Sequence, residues 1–168
     1  IGNGMNKDTI LGPLTTKKRL DEIENLVEIT KKEGAKVLYG GKRPAGFNKG
    51  YYYEPTIFDE VKDNFTIIKE EPFGPLVPIL SFKDFDEVVK RANNNILGLA
   101  SYIYTNNMKK AHKASELMET ESSEAAKIFS TRANEAAIVA GMVYIDKGEA
   151  AIAAAAFAAG VVHIDKGK

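Results

Sequence analysis

The residues best suited to chemistry lie in one short stretch, Glu70-Glu71-Pro72-Phe73-Gly74-Pro75. An ionised carboxylate such as that of Glu71 is an acceptor with room for two hydroxyl donors at once. The ring of Phe73, two residues on, offers a flat apolar face that can support another ring without competing for hydrogen bonds. Gly74-Pro75 would hold such a turn rigidly. Residue statistics alone favour a plainer reading, in which Glu70-Glu71 is a solvated acidic pair and Phe73 a buried turn aromatic.

Other chemistries find little material. The 168 residues contain no cysteine, which excludes a disulfide scaffold, a thiolate zinc site and a cysteine nucleophile within the chain. His112 and His163 each stand without an acid or second histidine at ligand spacing, so no metal site is expected. Neither Gly-x-Gly-x-x-Gly nor a P-loop is present, which argues against a stand-alone nucleotide binder. Tyr51 to Tyr53 read as loop packing rather than a stacking platform. Lys+Arg and Asp+Glu both number 23, and the pairs Lys17-Lys18, Lys31-Lys32 and Lys109-Lys110 sit among acids as solvated faces. That balance points away from nucleic acid and anionic membranes as partners. No apolar run reaches the 18 or so residues of a membrane span. The lack of disulfides fits a cytoplasmic protein. With neither an initiator methionine nor a signal-peptide pattern at Ile1, the sequence reads as starting inside a longer polypeptide.

The elements that must position Glu71 and Phe73 follow from periodicity. After Gly12-Pro13, Thr15 or Thr16 can cap a helix to about Glu33, with Leu20, Ile23, Val27 and Thr30 at helical spacing and Gly34 as the stop. A short strand, Ala35 to Tyr39, ends at Gly40-Gly41, and a loop rich in Pro, Gly and Asn runs to Gly50. Tyr51 to Tyr53 and Thr56 to Phe58 are extended pieces flanking Pro55, and Leu76 to Phe82 is a largely apolar strand. Asp84 or Asp86 can cap a helix through Asn93, with Val88, Val89 and Ala92 on its inner face. Leu99 to Tyr104 is rich in strand formers, and Asn106 or Asn107 starts a helix to about Met118. Helices alternating with short apolar strands predict an α/β fold, a largely parallel open sheet with flanking helices.

The chain changes character after Thr120. Residues 121–168 read as a helix–strand–helix–strand extension to the domain formed by residues 1–120. Glu121 to Ala140 is a helix former, Ala150 to Ala159 is nearly pure alanine, and each precedes a copy of one phrase. The copies, Gly141-Met-Val-Tyr-Ile-Asp-Lys-Gly148 and Gly160-Val-Val-His-Ile-Asp-Lys-Gly167, start 19 residues apart. Two copies are too few for a solenoid. The alanine run is either a helix of high intrinsic propensity or a set of stand-ins for larger side chains. A helix so poor in large residues forgoes roughly 25 cal/mol for every Å² of apolar surface it fails to bury.

Several phrases together resemble the aldehyde dehydrogenase superfamily. They are Gly2-Asn3-Gly4 with Gly12-Pro13-Leu14, Glu33-Gly34-Ala35-Lys36-Val37-Leu38 with Gly40-Gly41, and Gly50-Tyr51-Tyr52 with Glu54-Pro55-Thr56. The most specific is Glu70-Glu71-Pro72-Phe73-Gly74-Pro75, and Leu97-Gly98-Leu99-Ala100-Ser101 and Gly141-Met142-Val143-Tyr144-Ile145 extend the match. The resemblance assigns residues 1–120 to the C-terminal half of the family's catalytic region. It implies that Glu71 accepts hydrogen bonds from the nicotinamide-ribose hydroxyls of NAD or NADP, and that Phe73 lies beside the nicotinamide ring. Arg19 falls near a position that is polar in some members and touches the same ribose, and is not assigned that role.

The implied reaction is oxidation of an aldehyde to a carboxylic acid, in which a cysteine thiolate attacks the aldehyde, hydride passes to the nicotinamide, and a glutamate-activated water releases the acid. The cysteine, the general base, the oxyanion-hole asparagine and the dinucleotide domain lie upstream of this segment in the family. No catalytic residue is therefore assigned here, and the 168 residues alone are expected to be inactive. The wording of the phrases is similar to members acting on semialdehydes or glyceraldehyde. The family also implies a homo-oligomer. The alternative is a non-catalytic interaction module, using the short apolar strands Val143–Ile145 and Val161–Ile164 as pairing edges. The chain departs from the family's closing phrase at Ile145-Asp146 and Ile164-Asp165, where asparagine usually follows the apolar residue, and in the length of residues 121–140.

Overall fold

The first long helix, α1 (Lys17–Lys32), forms where a capping threonine meets an apolar stripe. Thr16 is the N-cap, its hydroxyl accepting from the Arg19 N–H at 3.1 Å, and Glu33 closes the other end. Leu20, Ile23, Leu26, Val27 and Thr30 all fall on one face and are all buried. The Thr30 hydroxyl donates to the Leu26 carbonyl at 2.7 Å, so the polar member of that stripe enters the core satisfied.

This stripe packs on a four-stranded sheet. A computed structural model describes residues 1–94, 103 and 107–119, and the backbone of residues 143–146. The strands are β1 (Lys36–Tyr39), β2 (Thr56–Asp59), β3 (Leu76–Phe82) and β4 (Val143–Asp146), in spatial order β1-β2-β3-β4. The β2–β3 and β3–β4 pairs are parallel, and β1 runs antiparallel to β2 at one side. The sheet is therefore mixed, a parallel core of pairings with an antiparallel strand added. Pro78, which has no N–H to donate, falls where two ladders meet. β2 pairs with Leu76 to Pro78, and β4 with Ile79 to Phe82.

Between stripe and sheet lies the core. Leu20, Ile23, Leu26 and Val27 of α1 meet Phe58, Leu76 and Leu80 of the strands, with Tyr53, Val61, Phe65 and Ile67 from the connections. Each large side chain buried there contributes roughly 1.5–3 kcal/mol of transfer free energy. Gly40 makes the loop after β1 possible: with φ 73° a Cβ would fall 2.0 Å from the Pro55 carbonyl oxygen. The next residue donates its N–H to Thr56 Oγ1 at 2.8 Å, and that hydroxyl donates to the Glu54 carbonyl at 2.9 Å. Thr56 is thus fully buried without an unmet polar group.

Three shorter helices complete the described structure. α2 (Thr66–Lys69) is a single turn, too short to show any periodicity. α3 (Phe85–Asn93) is capped by Asp84, whose carboxylate accepts from the Glu87 N–H at 2.9 Å. α4 (Met108–Leu117) is capped by Asn107, whose amide oxygen accepts from the N–H groups of Lys109 and Lys110. Val88, Val89 and Ala92, expected on the inner face of α3, are half-buried, and no residue of that helix is fully buried. The extended segment expected at Leu99 to Tyr104 lies outside the described residues except for Ile103. The same holds for Leu97 to Ser101, Glu121 to Ala140, the alanine run and the Val161–Ile164 strand.

Candidate functional site

The stretch Glu70 to Pro75 is the connection between α2 and β3. Its start is fixed by the Glu70 N–H, which donates to the Thr66 carbonyl at 2.9 Å. Within it, the Phe73 N–H donates to the Glu71 carbonyl at 3.1 Å and the Leu76 N–H to the Gly74 carbonyl at 2.9 Å. The Pro75 carbonyl accepts from the Thr56 N–H at 2.7 Å, which ties the end of the turn to β2.

Helix α1 and its C-cap residue hold α2 and this turn at three points. The Glu33 carboxylate accepts from the Thr66 N–H through both oxygens, at 3.0 and 2.9 Å, and from the Thr66 hydroxyl at 2.7 Å. It thereby caps α2, whose own N-cap residue Phe65 has no side-chain hydrogen bond to give. Gly74 lies directly on buried Ile23, since a Cβ there would stand 2.3 Å from Ile23 Cδ1 and 2.7 Å from Cγ1. The guanidinium of Arg19 sits over the Phe73 ring, 5.6 Å from its centroid.

On this fixed support, Glu71 and Phe73 point outward. Glu71 is exposed, and its carboxylate has no side-chain or backbone partner among the described residues. Phe73 is 62% exposed. A buried turn aromatic, the plainer expectation, is therefore not what the fold provides. The pair offers an acceptor with open lone pairs and an open aromatic surface two residues away. An acceptor beside an aromatic face suits a ligand carrying neighbouring hydroxyls next to a flat ring, as the nicotinamide riboside of a dinucleotide does.

Other candidates resolve differently. A shallow cleft between the first turns of α3 and α4 is lined by Asp84, Asp86, Lys109 and Lys113 among others, and neither Glu71 nor Phe73 borders it. His112 is exposed on α4, and His163 lies outside the described residues. Among the described residues no group of three or more His, Cys, Asp or Glu side chains could hold a metal ion. Tyr53 belongs to the core, and Tyr52 packs on Phe47 with ring centroids 4.2 Å apart. Burial pushes the Tyr53 phenol up to about 12, helped by the negative charges of Glu24, Glu28 and Glu54.

The supporting residues Ile23, Glu33 and Arg19 were not legible as a set from spacing. Ile23 shows in the sequence as a stripe residue and Glu33 as the neighbour of a stop signal. No local rule connects either to the turn beyond residue 65.

The chain matches the Aldehyde dehydrogenase family over residues 1–143. It is 43% identical over 121 residues to 3,6-anhydro-alpha-L-galactose dehydrogenase of Vibrio sp. (strain EJY3), covering 71% of this chain and 25% of that protein. It is 44% identical over 120 residues to retinaldehyde dehydrogenase 3 of Homo sapiens, covering 71% and 23%. The fold is similar to that of an aldehyde dehydrogenase from Bacillus cereus solved as an NAD+ complex. The TM-score is 0.67 at 44% identity, over 71% of this chain and 24% of that one. The chain thus spans about a quarter of the length of the relatives it matches. The turn that presents Glu71 and Phe73 is set in an α/β fold shared with a solved relative, and the chain belongs to the aldehyde dehydrogenase family.

Proposed function

We propose that this segment forms the nicotinamide-facing part of an NAD- or NADP-dependent aldehyde dehydrogenase, with Glu71 and Phe73 as the cofactor-binding residues. The whole protein would oxidise an aldehyde to a carboxylic acid. The observation that carries this reading is an exposed carboxylate without a partner beside an exposed aromatic ring, on a turn fastened to α1. Ionised, Glu71 accepts from both ribose hydroxyls, which fixes the sugar and with it the attached ring. Phe73 supplies apolar surface that excludes water from one side of the site. The nicotinamide, when bound, supplies the hydride acceptor. The nicotinamide ribose is common to NAD and NADP, so Glu71 serves either.

No residue of this chain attacks the aldehyde, because it holds no cysteine, and the nucleophile and general base belong to the remainder of the whole protein. Two relatives at 43% and 44% identity are named for unlike aldehydes, an anhydrosugar and retinaldehyde. A cytoplasmic location is the one we favour for the whole protein. No helix among the described residues is long and apolar enough to cross a membrane. A homo-oligomer is the assembly we favour, with the short strand β4 at the end of the described sheet as a pairing edge. The test is aldehyde-dependent formation of NADH or NADPH by the full-length protein carrying this segment. Failure of a broad aldehyde panel with both dinucleotides would refuse the reading, and sedimentation of the same material reads the assembly.

A further inference from the structure

We infer that Arg19 is a positioning residue that holds the Phe73 ring in the orientation the dinucleotide meets, an inference that rests on the cofactor reading of Phe73. The backbone under Phe73 is fixed by Gly74 on Ile23 and by the bond from the Pro75 carbonyl to β2. The ring itself is not fixed by packing, because it is 62% exposed. A side chain in that position is free to change rotamer unless something holds it. Arg19 lies over the ring at 5.6 Å from its centroid, inside the range of about 6 Å at which a cation is attracted to an aromatic face.

Arg19 is itself held. Its backbone N–H is bound by the Thr16 cap, at 3.1 Å, in the first turn of α1. Its guanidinium pairs with Glu22 at 2.9 Å, one helical turn away. The planar fork can meet the carboxylate at its edge while its face addresses the ring. A series of contacts therefore runs from Glu22 through the Arg19 guanidinium to Phe73. It sets the ring before any ligand arrives, which lowers the ordering cost of binding.

The experiment is a double-mutant cycle on NADH binding by the full-length protein, read by fluorescence titration with thermal unfolding alongside. Arg19→Met removes the cation and keeps the apolar stem, and should weaken NADH binding about threefold, the scale of an exposed cation–π contact. Arg19→Lys keeps a cation and should recover most of that loss. In a Phe73→Ala background, Arg19→Met should change affinity no further. An equal loss from Arg19→Met with or without the Phe73 ring would overturn the inference, as would no loss at all. Both of those outcomes leave the cofactor reading standing, provided Phe73→Ala alone weakens binding. If Phe73→Ala has no effect, the cofactor reading of Phe73 falls and the inference falls with it.

Discussion

Helices α1 and α3 obey the same local rules and end in different places. Each is capped by the side chain before it, Thr16 or Asp84, and each carries an apolar stripe. Yet α1 buries five residues and α3 buries none. Helix α3 is secured instead by polar fastenings. Arg91 makes a two-pronged contact with Asp63, at 2.8 Å on each side, and donates to the Ser81 carbonyl at 2.7 Å. Asn93 uses both ends of its amide on the C-terminus of α4, donating to the Leu117 carbonyl at 2.8 Å and accepting from the Glu119 N–H at 3.1 Å. The candidate site is mounted on the helix with the dry interface. That is the arrangement a binding turn needs, because packed side chains on a regular element hold geometry better than exposed hydrogen bonds do.

The comparison breaks most readily at Ile23. Ile23→Ala removes a side chain that is 1% exposed and also underlies Gly74. It should cost about 3 kcal/mol in denaturant unfolding, and dinucleotide affinity should fall with it because the turn loses its seat. A loss of stability with unchanged affinity would show that the turn is held by something other than α1.

Alkaline pH sharpens the same contrast. Tyr53, 3% exposed in the core beneath α1, keeps its proton to about pH 12 when folded, against about 10 for the free phenol. Its contribution is complete below pH 10. Between pH 10 and 12 the unfolded chain releases the proton while the folded chain retains it, so stability falls as pH rises through that window. Comparing Tyr53→Phe with the parent across that window isolates the effect, since the variant should lack this part of the slope. At the polar interface the expected effect is smallest. Asn93→Ala should cost about 1 kcal/mol, seen as faster amide exchange at the end of α4 with no change in dinucleotide binding.

The division between the two helices also marks what was legible beforehand. The α1 stripe and its stop and strand β3 could be read from the sequence, and the caps were narrowed to two candidates each, of which the fold uses Asp84 rather than Asp86 and Asn107 rather than Asn106. The depth to which each stripe is buried could not, because that depends on which elements cover it. The bonds from Glu33 to Thr66 join residues 33 positions apart, beyond the reach of any local pattern. The contacts of Gly74 with Ile23 and of Arg19 with Phe73 are hidden for the same reason. Glu71 and Phe73 were identifiable because a distinctive phrase surrounds them. The exposure of Phe73 was not, since phenylalanine on a turn is ordinarily buried. The sheet is largely parallel, as the alternation of helices and strands implied, and that alternation could not single out β1 as its antiparallel member, because a long loop allows either direction for the return strand.

The most direct test is the affinity of the full-length protein for NADH after Glu71→Gln, with Phe73→Ala as its companion. Glutamine keeps the shape of the side chain but replaces a charged double acceptor with a neutral group, so the loss reads the carboxylate itself. The expected result is a rise in Kd of about tenfold, on the scale of 1.5–3 kcal/mol for a hydrogen bond to a charged group, with the unfolding midpoint unchanged. An unaltered Kd in both variants would contradict the placement of the nicotinamide end at this turn.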